Sequence, residues 1–176
     1  MAKLFTIGHS TRALSEFVDV LRTQQVEALV DIRAFPVSRR FPHFGRLQLE
    51  PALSAIGISY LWVPSLGGHR AKLRNDSPNI ALRNAAFQNY ADYMLSPEFE
   101  KAARQLAEVA SPRRTAFMCA EKDYRQCHRK LVSDWLVAHG HEVLHIEGPE
   151  PAVPHTMTSE ARLEGQQLIY RGDRLL

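Results

Sequence analysis

Short apolar runs alternate with stretches of helical spacing along this chain. Lys3–Gly8, "KLFTIG", is apolar, β-rich and closed by a glycine, and predicts a first strand. Leu14, Phe17, Val18 and Leu21 then recur at helical spacing, with Ser15 as an early cap. Val26–Ile32 reads as a second buried strand. Leu47, Leu49, Leu53 and Ile56 predict a second helix, broken by Gly57, and Ile58–Val63 predicts a third strand. Ser65–Asn79 has no sustained period and reads as a long loop, the kind that carries function. Phe87, Tyr90 and Met94, then Phe99, Ala103, Leu106 and Val109, predict one long helix or two short ones interrupted near Pro97. Thr115–Cys119 is a fourth strand. Leu131, Trp135 and Leu136 share one face of a helix that stops at Gly140, and His141–Ile146 is a fifth strand.

Strands alternating with helices at this spacing imply βαβ units with right-handed crossovers. The expected result is a mostly parallel sheet of about five strands, with helices on both faces. Residues 1–147 make one α/β domain, and the proline-marked stretch from 148 to 176 is an appendage. Its "LIYRGDRLL" fits a small hairpin about Gly172 or a segment that docks on a partner. In open α/β sheets ligands bind beyond the carboxyl ends of the strands. Those ends carry His9 and Ser10, Asp31 and Arg33, then Gly67, Gly68 and His69, then Cys119 and Glu121. Cys127, His128 and Arg129 extend the last group at the start of the next helix.

Composition narrows the class. The 176 residues are 45% hydrophobic and 23% charged, as in ordinary globular chains. No run approaches the roughly 20 apolar residues of a membrane span, and no signal-peptide pattern opens the chain. The expected setting is cytoplasmic, with no membrane partner. Two cysteines are no disulfide framework, so reduced thiols are expected. A net charge of +3 says little, but its distribution says more. Arg33, Arg39, Arg40 and Arg46 follow one another with no acid between them, and Arg70, Lys72 and Arg74 do the same. Such a local excess suits a phosphate-bearing partner, nucleic acid among them; the alternative is a solvated surface.

The candidate chemistry starts at the cysteines. Cys127, near a helix start and followed by His128 and Arg129, is placed for a lowered thiol pKa and nucleophilic work. Adjacent residues on a helix point about 100° apart, so contact between Cys127 and His128 does not follow from their adjacency. Cys127 also fits an inert core cysteine, and Cys119 with Cys127 fits a redox pair. The seven-residue gap between the cysteines matches no zinc finger or ribbon spacing, and no metal is expected. Asp31 and Glu121 fit acid–base roles or the holding of Arg33 or Arg129 by a bidentate pair. His9 suits a phosphate donor or an acid–base group, with Gly8 allowing close approach of a ligand. GxGxxG and GxxxxGK[ST] are both absent, so no nucleotide cofactor is expected. The loop from Arg33 to Arg46 interleaves arginines with Phe35, Phe41 and Phe44, a composition that grips phosphates and stacks bases. In the alternative reading the phenylalanines anchor the loop.

"TIGHS" at Thr6–Ser10, "LVDIRAFPVSR" at Leu29–Arg39, "LGG" at Leu66–Gly68 and "MCAEKDYRQCHR" at Met118–Arg129 resemble the signature of domain-of-unknown-function family 488. The closing "EVLHI" at Glu142–Ile146 resembles it too. The resemblance implies a three-layer, Rossmann-like α/β fold and brings no activity or cofactor with it. The residues themselves support an enzyme acting on a phosphate-containing substrate. Arg33, Arg39, Arg40 and Arg129 would hold the anion, with Ser10, Gly67, Gly68, Asp31 and His128 around it. His9, Glu121, Cys119 or Cys127 would do the chemistry. A non-catalytic binding module and a thiol or metal redox sensor are the alternatives.

Overall fold

The computed structural model describes residues 1–171. Its elements run β1 (Lys3–Gly8), α1 (Leu14–Thr23), β2 (Ala28–Asp31), α2 (Arg46–Ser54), β3 (Ser59–Trp62), α3 (Ala85–Tyr93) and α4 (Pro97–Ala110). They continue with β4 (Thr115–Cys119), α5 (Arg129–Ala138), β5 (Glu142–Ile146), β6 (Val153–Pro154), β7 (Ala161–Glu164) and β8 (Gln167–Tyr170). The first six strands form one sheet in the order β3-β2-β4-β1-β5-β6. β1 to β5 are parallel, and only β6 runs antiparallel, on the outer edge of β5. The architecture is the expected three-layer, mostly parallel α/β fold with one strand more than the pattern announced. That strand is two residues long and contains a proline, which only an edge position tolerates.

The strand residues alternate between two cores. Phe5, Ile7, Leu29, Ala116 and Met118 face Phe17 and Leu21 of α1 and Leu49 and Leu53 of α2. Leu4, Val30, Phe117 and Val143 face Tyr90, Phe99, Leu106, Leu131 and Trp135 of α3, α4 and α5. The period of two therefore turns Thr6 and Cys119 toward the α5 side.

Local signals were read correctly in some places and not in others. Helix α1 starts one residue before Ser15, with Ala13 at the cap position and no side-chain cap, so Ser15 caps nothing. Two helices, α3 and α4, stand where the pattern expected one long helix or two short ones, and the break falls just before Pro97. Pro97 opens α4, where its missing N–H costs nothing, and Ser96 caps the turn by accepting from the Phe99 N–H at 3.3 Å. The terminal hairpin turns at Gly165, between β7 and β8. The alternative turn at Gly172 lies outside the described residues. Leu168, Ile169 and Tyr170 of β8 are buried, and the Tyr170 N–H donates to Asn79 Oδ1 at 3.0 Å.

Candidate functional site

The chain leaves β4 for α5 on one face of the sheet and leaves the neighbouring β1 and β2 for α1 and α2 on the other. Diverging connections open a crevice at the carboxyl ends of such strands. A cavity of about 510 Å³ lies there, walled by Arg33–Phe35 after β2, Gly68 and His69 after β3, and Cys119–Glu121 after β4. Gln126, Cys127 and His128 close its inner side, and Phe87 and Tyr90 of α3 cover it.

Cys127 is extended (φ −132°, ψ 154°) and precedes the helix, so the angular spacing of helical neighbours does not govern it. Its Sγ lies 3.4 Å from His128 Nδ1. His128 Nε2 lies 3.0 Å from the Ile32 carbonyl. A carbonyl only accepts, so Nε2 carries the hydrogen, and in the neutral ring Nδ1 turns a lone pair to the thiol. The first turn of α5 adds the Arg129 backbone N–H, 3.4 Å from the same sulfur. Burial pushes the Cys127 thiol up. A hydrogen bond from Cys119, the charge of Arg129 and that backbone N–H outweigh it and bring the thiol down to about 7. Cys119 moves the opposite way, well above its ordinary value, through burial and its bond to Cys127. Burial also pushes His128 down, which keeps it neutral and basic at Nδ1. The arrangement is a thiol with a lowered pKa, a base beside it, and a second thiol that stays protonated.

Gly68 sets the position of the imidazole. A Cβ there would sit 2.6 Å from His128 Nδ1. Gly68→Ala is therefore expected to displace the ring and cut Cys127 reactivity toward iodoacetamide several-fold with little change in thermal midpoint. Unchanged alkylation kinetics would show that the ring has room to spare.

The remaining sequence candidates divide. Arg33, Arg39, Glu121 and Gly68 line the cavity with the thiols, with the Arg39 and Glu121 side chains exposed. Asp31 is fully buried and grips Arg33 through Nε (2.9 Å) and Nη2 (2.7 Å), with the Tyr60 hydroxyl on the same carboxylate at 2.5 Å. It holds an arginine and does not face a ligand. Arg33 Nη1 is left buried with no partner among the described residues. Arg129 turns away from the cavity. Its guanidinium donates to Cys119 Sγ (3.0 Å), Thr6 Oγ1 (3.0 Å) and the Glu121 and Lys122 carbonyls. It is 1% exposed, so it clamps the site and does not hold a substrate anion. Gly67 packs on Ala34. Gly8 serves no ligand, because a Cβ there would strike the Glu121 carbonyl.

His9 stays off the cavity wall. It stacks on Phe44 with ring centroids 4.3 Å apart and donates through Nδ1 to the Ser10 carbonyl at 2.9 Å. Burial pushes it down to about 4, so it is neutral. Ser10, with φ 55°, borders a separate hollow with Thr11 and Lys122. Arg40 lies over the Phe41 ring, 5.5 Å from its centroid, away from the cavity. The pattern also missed residues: Phe87 and Tyr90 read only as helix core, yet Tyr90 roofs the cavity and donates to the Leu66 carbonyl at 2.7 Å. Among the described residues no three His, Cys, Asp or Glu side chains gather as metal ligands. Among the same residues no helix is long and apolar enough to cross a membrane.

A family model described as "Domain of unknown function DUF488" matches residues 13–136, a span that contains every residue of the cavity wall. No curated protein and no solved structure matches the chain.

Proposed function

The chain belongs to the family described as domain of unknown function DUF488, and from that footing we propose that the cavity is the active site of a thiol-dependent enzyme acting on a phosphate-bearing substrate, a nucleotide or a stretch of nucleic acid. The observation that carries this reading is Cys127 Sγ held 3.4 Å from His128 Nδ1 in the cavity wall.

His128 takes the thiol proton, and the Cys127 sulfur attacks phosphorus. The S–P bond forms as the P–O bond to the leaving group breaks, and the leaving oxygen takes the proton from His128. Water then attacks phosphorus, phosphate departs, and one water proton restores the thiol. Arg39 on the lip and the unpartnered Nη1 of Arg33 supply positive charge. Phe44 is fully buried and anchors the loop, whereas Phe35 is 69% exposed at the rim. The second ring is thus free to stack on a base, and the cavity mouth combines an aromatic platform with a cation. A cytoplasmic setting, where thiols stay reduced, suits this chemistry.

The test is a panel of chromogenic phosphomonoesters and nucleotides, with the quenched protein weighed by mass spectrometry. A phosphoryl adduct on Cys127 is expected. Alkylation of Cys127 should rise with pH through a midpoint near 7, because the thiolate is the reactive form above it. Arg39→Ala should raise KM about tenfold with little change in kcat and flatten the salt dependence. A folded protein that neither turns over nor becomes labelled overturns the reading. Ligand affinity that survives Cys127→Ser without turnover marks a non-catalytic binding module. A second reading, thiol redox chemistry, is favoured by two free cysteines, Cys119 and Cys127, in the wall of one cavity. Its mark is a reversible mass loss of two hydrogens on mild oxidation.

A further inference from the structure

His145 and His155 read in the sequence as surface or packing residues. In the fold they lie in a buried polar chain behind the thiols. Asp134 is fully buried, as is Arg129 to within 1%, and among the described residues no carboxylate lies within ion-pair distance of that guanidinium. The two buried opposite charges are joined through three neutral residues. Asp134 Oδ1 accepts from His155 Nε2 at 2.8 Å. His155 Nδ1 then accepts from His145 Nε2 at 2.8 Å, and His145 Nδ1 accepts from the Thr6 hydroxyl at 2.6 Å. With its hydrogen committed, Thr6 Oγ1 has only lone pairs left, and it takes the Arg129 Nη1–H at 3.0 Å. With both rings neutral every hydrogen in the chain finds an acceptor; with His155 protonated the Thr6 hydroxyl hydrogen would have none.

We propose that Asp134, His155, His145 and Thr6 are positioning residues, a one-way hydrogen-bond chain that holds Arg129 against Cys119 and Cys127 and so sets the reactivity of Cys127. The proposal rests on the reading of Cys127 as the reactive thiol. The chain is fixed at its middle and at its Asp134 end. Tyr124 stacks on the His145 ring at 3.5 Å, while the Thr158 and Tyr170 hydroxyls occupy Asp134 Oδ2 at 2.6 and 2.9 Å. His155, Thr158 and Tyr170 all come from the segment after β5, which thereby completes the support of a site built from earlier residues. Among the described residues, the other charged or titratable groups acting on Arg129 and the dyad include Arg12, Asp123, Arg70 and Tyr90. None of them is a link of the chain.

The experiment alkylates the full chain with iodoacetamide, maps Cys127 by peptide mass, and follows ultraviolet thiolate absorbance against pH. Thr6→Val keeps the shape of Thr6 and removes its hydroxyl, whereas Thr6→Ser keeps the hydroxyl. His145→Phe keeps the stack on Tyr124 and removes both ring nitrogens. Near neutral pH, Thr6→Val and His145→Phe should alkylate about fivefold more slowly than wild type, as their thiolate midpoint moves up by about one pH unit. Thr6→Ser should match wild type. Wild-type rates in both deletion variants overturn the proposal, and so does Thr6→Ser slowing as much as Thr6→Val. His145→Phe decides alone should Thr6→Val fail to fold. A wild-type Cys127 that titrates like an ordinary exposed thiol instead removes the reactive-thiol reading beneath it.

Discussion

Replacing Cys127 by serine is expected to lower kcat/KM on a phosphoester substrate by at least about 10⁴-fold while leaving the fold intact. The sulfur owes its reactivity to a lowered pKa, and the causes act on the thiolate: the Cys119 hydrogen bond, the Arg129 charge and the Arg129 backbone N–H. A serine hydroxyl in the same place stays protonated at neutral pH and is a weaker nucleophile. The substitution is nearly isosteric, so the thermal midpoint should barely move. Steady-state kinetics beside a thermal melt checks both halves. Activity within tenfold of wild type would leave Cys127 without a covalent role, and His128 would then need a different partner.

The second large effect concerns stability. Arg129→Met is expected to destabilise the protein by about 3–5 kcal/mol, far beyond the ordinary mutational cost of about 1 kcal/mol. Methionine fills most of the volume but donates no hydrogen bond. It leaves the Glu121 and Lys122 carbonyls and Thr6 Oγ1 buried with fewer donors, and it leaves the Asp134 carboxylate without its relayed counter-charge. Arg129→Lys should recover little, because a single ammonium cannot span a thiol, a hydroxyl and two carbonyls at once. Denaturant unfolding, read at the midpoint with the slope held, measures both. A loss below about 1 kcal/mol for Arg129→Met would mean that the buried guanidinium contributes little net stability.

Much of the fold could be read along the chain because its cause is local. Lys3–Gly8 and Thr115–Cys119 coincide with their strands residue for residue, since each is a short, β-rich, mostly apolar run in a sheet covered on both faces. The two-residue β6 carries no such run and exists only because the β5 edge accepts it. Pro97 marked the break between α3 and α4, and it does so from the start of the second helix. A proline that looks like a break within one helix is, at the first position of the next, a start.

The site divides on the same line. The rule that ligands gather at strand carboxyl ends brought Arg33, Gly68, Cys119, Glu121, Cys127 and His128 to one cavity. It could not tell a side chain that faces the cavity from one that braces it. Arg129 has the residue type of an anion site, yet it points into the protein, where a buried charge must find partners, while Asp31 grips Arg33 as the bidentate alternative expected. His145 and His155 carried no signal, because the groups that satisfy them come from β1, α5 and the final segment.

The sequence by itself determined the order and type of the elements and which strand ends carry polar groups, because hydrophobic period and strand termini depend on near neighbours. Only the tertiary structure decided which of those groups meet. Extended backbone at Cys127, rather than helical geometry, lets its sulfur touch the imidazole of His128. Residues more than a hundred positions apart, Thr6 and Arg129, share a hydrogen bond that neither neighbourhood announces. Such contacts follow from the sheet order and from the need to satisfy every buried charge, and no local pattern encodes either one.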